Sequence, residues 1–478
     1  MAFFNEFLNA KARYQTRLLS GNHADEEIAA VSREIDELTL EYHDVETKIR
    51  STSPHYAALT QPQPLSLKEV QQQVLEKDTL LLEYVLGDEA SYLFTVTPIS
   101  AKAYMLPKRA ELESLAGKTY DALTARNRHG AGETLSQRDE RIQKADAEYI
   151  RLAARLSKLI LGPAASELDA KRLLIVGDGI LLQIPFGALP EPSPNGSRAL
   201  ILSHEIVNLP SASVIAAQRR EIAARKPAAL QVAIFGDPVF DRYDERVKTI
   251  SGAPTESAES ESGAYSAHEL ERAIKESGIG TDRGTMMRLL FSRREAQAIF
   301  SLASPGAALE ALGFDASKEL AISSKLGNYK IIHFATHAML NEDHPELSGI
   351  VLSLIDSQGR DVDGFLRLND VYNMNLPADM VVLSACQTGL GKQIKSEGSV
   401  GLVRGFMYAG AARVVASQWK VDDSATAELM TRFYEKMLRG GEPVSAALRH
   451  AQIEMIQQER WRNPYFWAAF EMQGEWRQ

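Results

Sequence analysis

Two residues of this chain have the types and the placing to break an amide bond. His337 closes the run Tyr329-Lys330-Ile331-Ile332-His333-Phe334-Ala335-Thr336-His337, and Cys386 closes Met380-Val381-Val382-Leu383-Ser384-Ala385-Cys386. A free thiol is only a few per cent thiolate at neutral pH, yet it is intrinsically very nucleophilic. An imidazole within reach raises the thiolate fraction and can later protonate a leaving amine. Cys386 is the sole cysteine, so no internal disulfide competes for its sulfur.

Both runs are short, apolar and β-branched, which predicts buried strands of a parallel sheet. Each reactive residue would then sit at a carboxyl end, where open α/β sheets gather their chemistry. The spacing between them leaves room for a crossover between parallel neighbours. His333 is the rival base; it lies inside the apolar run, four residues before His337, and so predicts a core residue. A metal site built from His333, His337 and His344 lacks the helix and the intervening Glu of a zinc peptidase. Gly389-Leu390-Gly391-Lys392 is not a phosphate loop, which would need Gly at the position of Cys386 and Ser or Thr at that of Gln393. Neither a metal nor a cofactor is expected.

Four motifs together are similar to the CHAT family, a caspase-like group often fused to tetratricopeptide repeats. They are His333-Phe334-Ala335-Thr336-His337, Leu383-Ser384-Ala385-Cys386-Gln387-Thr388-Gly389, Gly401-Leu402-Val403-Arg404 and Gln418-Trp419-Lys420-Val421-Asp422-Asp423. A histidine about 50 residues upstream of an Ala-Cys pair also resembles the caspase–separase clan of cysteine peptidases. Ser384 stands where caspases carry Gln, which points to a relative of caspases. The resemblance implies a cysteine endopeptidase with Cys386 as nucleophile, His337 as base and then acid, and the backbone N–H groups of Ala338 and Cys386 on the oxyanion. The clan carries Gly where this chain has Ala338. It also implies a protein substrate and a role in regulated proteolysis, defence or cell death. The stretch ending in Asp423 resembles a separase segment whose second Asp lines an arginine pocket. Asp423, Asp422 and Trp419 are therefore the expected substrate-binding residues, with Asp423 as the main contact, Asp422 doubling as a helix cap and Trp419 as pocket wall or core. The competing reading is a CHAT-like scaffold that leaves its dyad unused and signals through its N-terminal helices; another acyl transferase on the same fold is a third.

Around these motifs, residues 25–50 place Ile28, Val31, Ile35, Leu38, Tyr42, Val45 and Ile49 at alternating spacings of three and four, a heptad seam. With Phe4, Phe7, Tyr14 and Leu18 before Gly21-Asn22, this predicts a helical hairpin and linker over 1–68, where a regulatory partner would bind. The expected fold is α/β: a caspase-like, doubly wound, mostly parallel sheet over 228–478, preceded by an α/β lead-in over 69–227, read as an inactive caspase-like half. Strands are predicted near Leu80–Leu86, Ser91–Thr97, Ala101–Leu106, Leu173–Val176, Ile201–Leu209, Val232–Phe235, Arg413–Trp419 and Tyr465–Met472. Helices are predicted over 108–161, Ser292–Leu302, Ala316–Leu326, Gly401–Ala411, Ser424–Leu438 and Pro443–Gln458.

A net charge of −10 argues against nucleic acid as a partner of the whole surface. No run approaches the roughly 18 apolar residues of a membrane span. Met1-Ala2-Phe3-Phe4-Asn5-Glu6 lacks the pattern of a secretion signal, and a cytoplasmic location is expected. Residues 241–285, rich in Ser, Glu and Gly, read as a long mobile loop. Deleting about 250–280 should leave the unfolding transition in place by circular dichroism, and trace protease should nick the intact chain there first. An unfolded deletion variant would make the stretch structural.

Overall fold

Strands of this chain that are apolar on both faces must lie between two layers of helices, and the computed structural model shows that arrangement. It describes residues 63–128, 132–192, 198–247, 286–339, 348–384 and 397–477. The expected hairpin of residues 1–50, most of the linker, residues 248–285 of the expected loop, and Cys386 lie outside the described residues.

The first strands are β1 (Thr79–Val85), β2 (Ser91–Val96) and β3 (Ala101–Leu106). They form an antiparallel meander, with Gly87-Asp88-Glu89 in the first turn. Helix α1 (Arg109–Leu123) and helix α2 (Leu135–Ile160) follow. Thr134 opens α2 with a capping box: its hydroxyl accepts from Gln137 N, and its own N–H donates to the Gln137 carboxamide. Next come β4 (Arg172–Val176), β5 (Glu205–Asn208) and α3 (Ala212–Ala223). The second part of the chain runs β6 (Leu230–Gly236), α4 (Ser292–Leu302), β7 (Ala308–Leu312), β8 (Tyr329–Ala335), β9 (His337–Met339), β10 (Gly349–Val351), β11 (Phe365–Arg367) and β12 (Met380–Leu383). It ends α5 (Glu397–Ala409), β13 (Arg413–Ser417), α6 (Asp423–Tyr434), α7 (Val444–Gln457) and β14 (Phe470–Gly474).

One eleven-stranded sheet carries the order β3-β2-β1-β4-β5-β14-β13-β12-β8-β6-β7, and β11-β10-β9 form a separate small sheet. Only β1–β2, β2–β3 and β13–β14 pair antiparallel in the large sheet. Alternate residues feed opposite cores: Ile331, Met380 and Val382 on one face, Ile332, Phe334, Val381 and Leu383 on the other. Among the described residues, no helix is long and apolar enough to cross a membrane.

Several elements differ from expectation. Strand β7 is not among the predicted strands; it forms along β6 as a parallel ladder, from Val232 opposite Ala308 to Gly236 opposite Leu312. Ile201–Leu209 begins as a 3-10 turn and becomes strand only at Glu205. Ala316–Leu326 is a single helical turn, Lys318–Ala321, followed by a 3-10 turn. The last strand starts at Phe470, since Asn463 caps a 3-10 turn at Pro464–Phe466.

β14 returns the end of the chain to the middle of the sheet, antiparallel to β13 and parallel to β5, with Gln473 opposite Asn208. Residues Leu65–Gln478 form one compact unit. Glu471 bridges this seam, accepting from Asn208 Nδ2 at 2.9 Å and Gln418 Nε2 at 3.1 Å. Burial pushes its carboxyl up to about 8, against the pull of those two donors. Between the ordinary carboxyl range and about 8, the folded protein keeps a proton that the unfolded chain releases. Stability therefore falls as pH rises through that window, by on the order of a few kcal/mol in all. Glu471→Gln should flatten this slope in urea unfolding followed from about pH 6 to 8.5; an unchanged slope would exclude Glu471 as its source.

Candidate active site

β8 and β12 are parallel neighbours, with Phe334 opposite Leu383. The ladder runs one residue further, because Ser384 N–H donates to Phe334 O at 3.1 Å. The histidine run and the cysteine run thus leave the sheet side by side. Cys386 follows two residues after Ser384, outside the described residues. On the other side, β8 stops at Ala335. Thr336 donates its hydroxyl to Val351 O at 2.5 Å, and the chain turns into β9, where His337 lies opposite Val351. His333 and His337 therefore do not share one strand: the single run expected from Tyr329 to His337 is divided between β8 and β9.

His333 is completely buried. Its Nε2 meets a Glu295 carboxylate oxygen at 2.8 Å and Ser384 Oγ at 3.3 Å, and its Nδ1 meets the Tyr434 hydroxyl at 3.0 Å. Glu295 is itself buried. With both nitrogens occupied, His333 ties β8 to α4 and α6 and has no lone pair left for a substrate proton.

His337 is held differently. Its Nε2 lies 2.7 Å from the backbone oxygen of Met287. A carbonyl only accepts, so Nε2 carries the proton and Nδ1 is the basic nitrogen. Nδ1 is buried and has no hydrogen-bond partner among the described residues. The ring packs against Phe240 with centroids 5.2 Å apart. Burial pushes its pKa below the ordinary histidine value and the Lys420 charge pushes the same way, while the Met287 bond opposes them. The arrangement presents a neutral imidazole with one free lone pair. Sequence reasoning did not find Met287, because a backbone carbonyl leaves no residue-type signal.

The CHAT domain model matches residues 150–475. This chain belongs to the CHAT domain family. Over 105 residues it is 33% identical to tetratricopeptide repeat protein 28 of Homo sapiens, and 31% identical to that of Mus musculus. Each match takes in 22% of this chain but only 4% of the longer protein. Among solved structures, the Saccharomyces cerevisiae separase–securin complex aligns with a TM-score of 0.49 at 10% identity, covering 85% of this chain and 30% of that one. The Arg specific cysteine proteinase gingipain R aligns with a TM-score of 0.37 at 11% identity, covering 68% and 67%.

The remaining expected site residues of this CHAT chain divide among several roles. Ala338 is buried in β9 opposite Ile350. Asp422 caps α6: one carboxylate oxygen accepts from Ser424 N and Ala425 N, each at 3.0 Å. Asp423 leaves the cap to its neighbour and accepts from Phe291 N–H at 2.8 Å. Burial raises its carboxyl to about 6, with smaller contributions from Glu295 and Asp422. Trp419 is a core residue. It is 2% exposed, its indole N–H donates to Tyr465 O at 3.1 Å, and Tyr120 meets it edge-on at 6.1 Å. Of its two expected roles, pocket wall or core, these contacts are those of the core residue. Lys420 is exposed, and its charge disfavours the protonated form of His337.

A histidine that refuses a proton when folded but accepts one when unfolded lowers stability as pH falls through the ordinary histidine range. NMR titration of His337 should give a pKa below 6.5. Lys420→Met should raise that value, since a nearby cation penalises imidazolium. An unmoved titration would separate Lys420 from the site.

Proposed function

We propose that this chain is a cysteine endopeptidase that cleaves a protein partner, with Cys386 and His337 as its dyad. The observation that carries this reading is the His337 ring: neutral, buried, its Nε2–H fixed on a backbone carbonyl, just past the end of β8, the parallel neighbour of the strand that leads to Cys386. Nδ1 takes the thiol proton as Cys386 Sγ attacks the scissile carbonyl carbon. The C–N bond then breaks, and the same proton passes to the departing amine, leaving an acyl-enzyme thioester that water hydrolyses. The N–H groups of Ala338 and Cys386 are assigned to the oxyanion. Met287 O supplies the orienting contact that a third side chain supplies in a triad.

Asp423 is the proposed specificity residue, favouring Arg or Lys before the scissile bond through a charge-assisted contact. Its carboxyl is charged above about 6, so this preference should weaken as pH falls through that value. The reading places the chain in regulated proteolysis, with a controlling partner on the N-terminal helices and the cytoplasm as its location.

Profiling a peptide library with wild type, Cys386→Ala and His337→Ala tests it. Cys386→Ala should abolish turnover, and His337→Ala should lower kcat by about 10²–10⁴-fold, with melting curves preserved. Asp423→Asn should remove the preference for basic residues while other cleavage persists. Absence of any Cys386-dependent cleavage or labelling by a thiol-reactive peptide probe would favour the scaffold reading. Labelling without cleavage would favour another acyl transfer.

A further inference from the structure

Met287 contributes only its backbone to the site, since its side chain is 62% exposed and cannot anchor its own carbonyl. Its neighbours must do so. Met286 is buried against Met339, Val351 and Phe365. Arg288, on the other side, lays Nε on Asp237 Oδ1 at 2.7 Å and Nη2 on Oδ2 at 2.9 Å, a side-on bidentate pair.

Asp237 follows β6 directly and is 1% exposed. Its φ of 49° makes it the one non-glycine residue in the left-handed region among those described. Aspartate tolerates that region better than most residues, and such a conformation persists only where the surroundings over-determine it. Here they do. Oδ2 also receives Arg293 Nε at 2.6 Å and Arg246 Nη1 at 3.0 Å. The Asp237 N–H donates to Ser292 Oγ at 3.2 Å, and its carbonyl accepts from Arg246 Nη1 at 2.7 Å. Several partners share the task of holding the carboxylate, and Arg288 is the one that continues into the Met287 segment.

We infer that Asp237, acting through Arg288, is a positioning residue that holds the Met287 carbonyl on His337 Nε2 and so decides which imidazole nitrogen is basic. The inference rests on reading His337 as the base. It adds a third functional strand end: β6 carries the positioning acid, β8 leads to the base, and β12 leads to the nucleophile.

Replacing Asp237 would strand three guanidiniums, so the test goes through the arginines. Arg288→Ala removes the link to Met287. Arg293→Ala removes a contact to the same carboxylate without touching the segment beside Met287. In ¹⁵N-histidine-labelled full-length protein, wild-type His337 should show the Nε2-protonated tautomer. Arg288→Ala should show a mixture of tautomers, with kcat down by about a hundredfold and KM within about threefold. Arg293→Ala should keep the wild-type tautomer and lie within about threefold in kcat. Arg288→Lys, which can reach only one carboxylate oxygen, is the milder form of the same loss and gives the same readout where the alanine variant does not fold. An Nε2-protonated His337 in the Arg288 variants, or an equal loss in Arg293→Ala, would overturn the inference. The tautomer comparison needs no substrate, so a wild type that cleaves nothing would sink the peptidase reading and leave this test intact.

Discussion

A carbonyl oxygen can only accept, and the contact between Met287 O and His337 Nε2 therefore determines the protonation pattern of the whole site. The imidazole is nine-tenths and more out of water, so its charged form is penalised and its tautomer cannot be averaged by solvent. The lone pair left over is on Nδ1. A histidine in bulk water would exchange between both forms; this one is committed before any partner arrives.

The sheet provides the rigid base for that commitment. Its central strands, β8 and β12 among them, are apolar on both faces and buried between helix layers, which specifies register strongly. Within that frame His333 performs a different task four residues upstream. Glu295 and Tyr434 satisfy both of its nitrogens, joining two helices to the central strand. A buried polar group in such a place must be fully paired, and this one is. The two histidines of one short motif thus divide between holding the sheet to its helices and presenting a proton acceptor.

Asp422 and Asp423 divide in a similar way. Adjacent carboxylates at a helix start cannot both reach the same N–H groups, and Asp422 has them. Asp423 turns toward Phe291, linking α6 to the same 286–291 segment that carries Met287 and Arg288. That segment lies outside the β-strands, yet it is anchored by Met286 packing, by Asp237 and by Asp423. The group it turns toward His337 is a main-chain oxygen, so its position comes from those neighbours.

The sequence alone determined the class of fold and the principal strands. Short β-branched runs at Tyr329–Ala335 and Met380–Leu383 can be buried on both faces in few other ways, and the motifs around them belong to one family. It also carried the division between a core His333 and an end-of-run His337, since burial inside an apolar run leaves a ring no solvent. What it could not carry was anything decided by contacts distant along the chain. No strand is predicted over Ala308–Leu312, and only the ladder with β6 makes it one. The orienting carbonyl, the acid of Asp237 that steadies it and the seam at Glu471 likewise belong to tertiary structure. Each depends on a backbone group or a distant partner, and neither leaves a periodic or residue-type signal in the sequence.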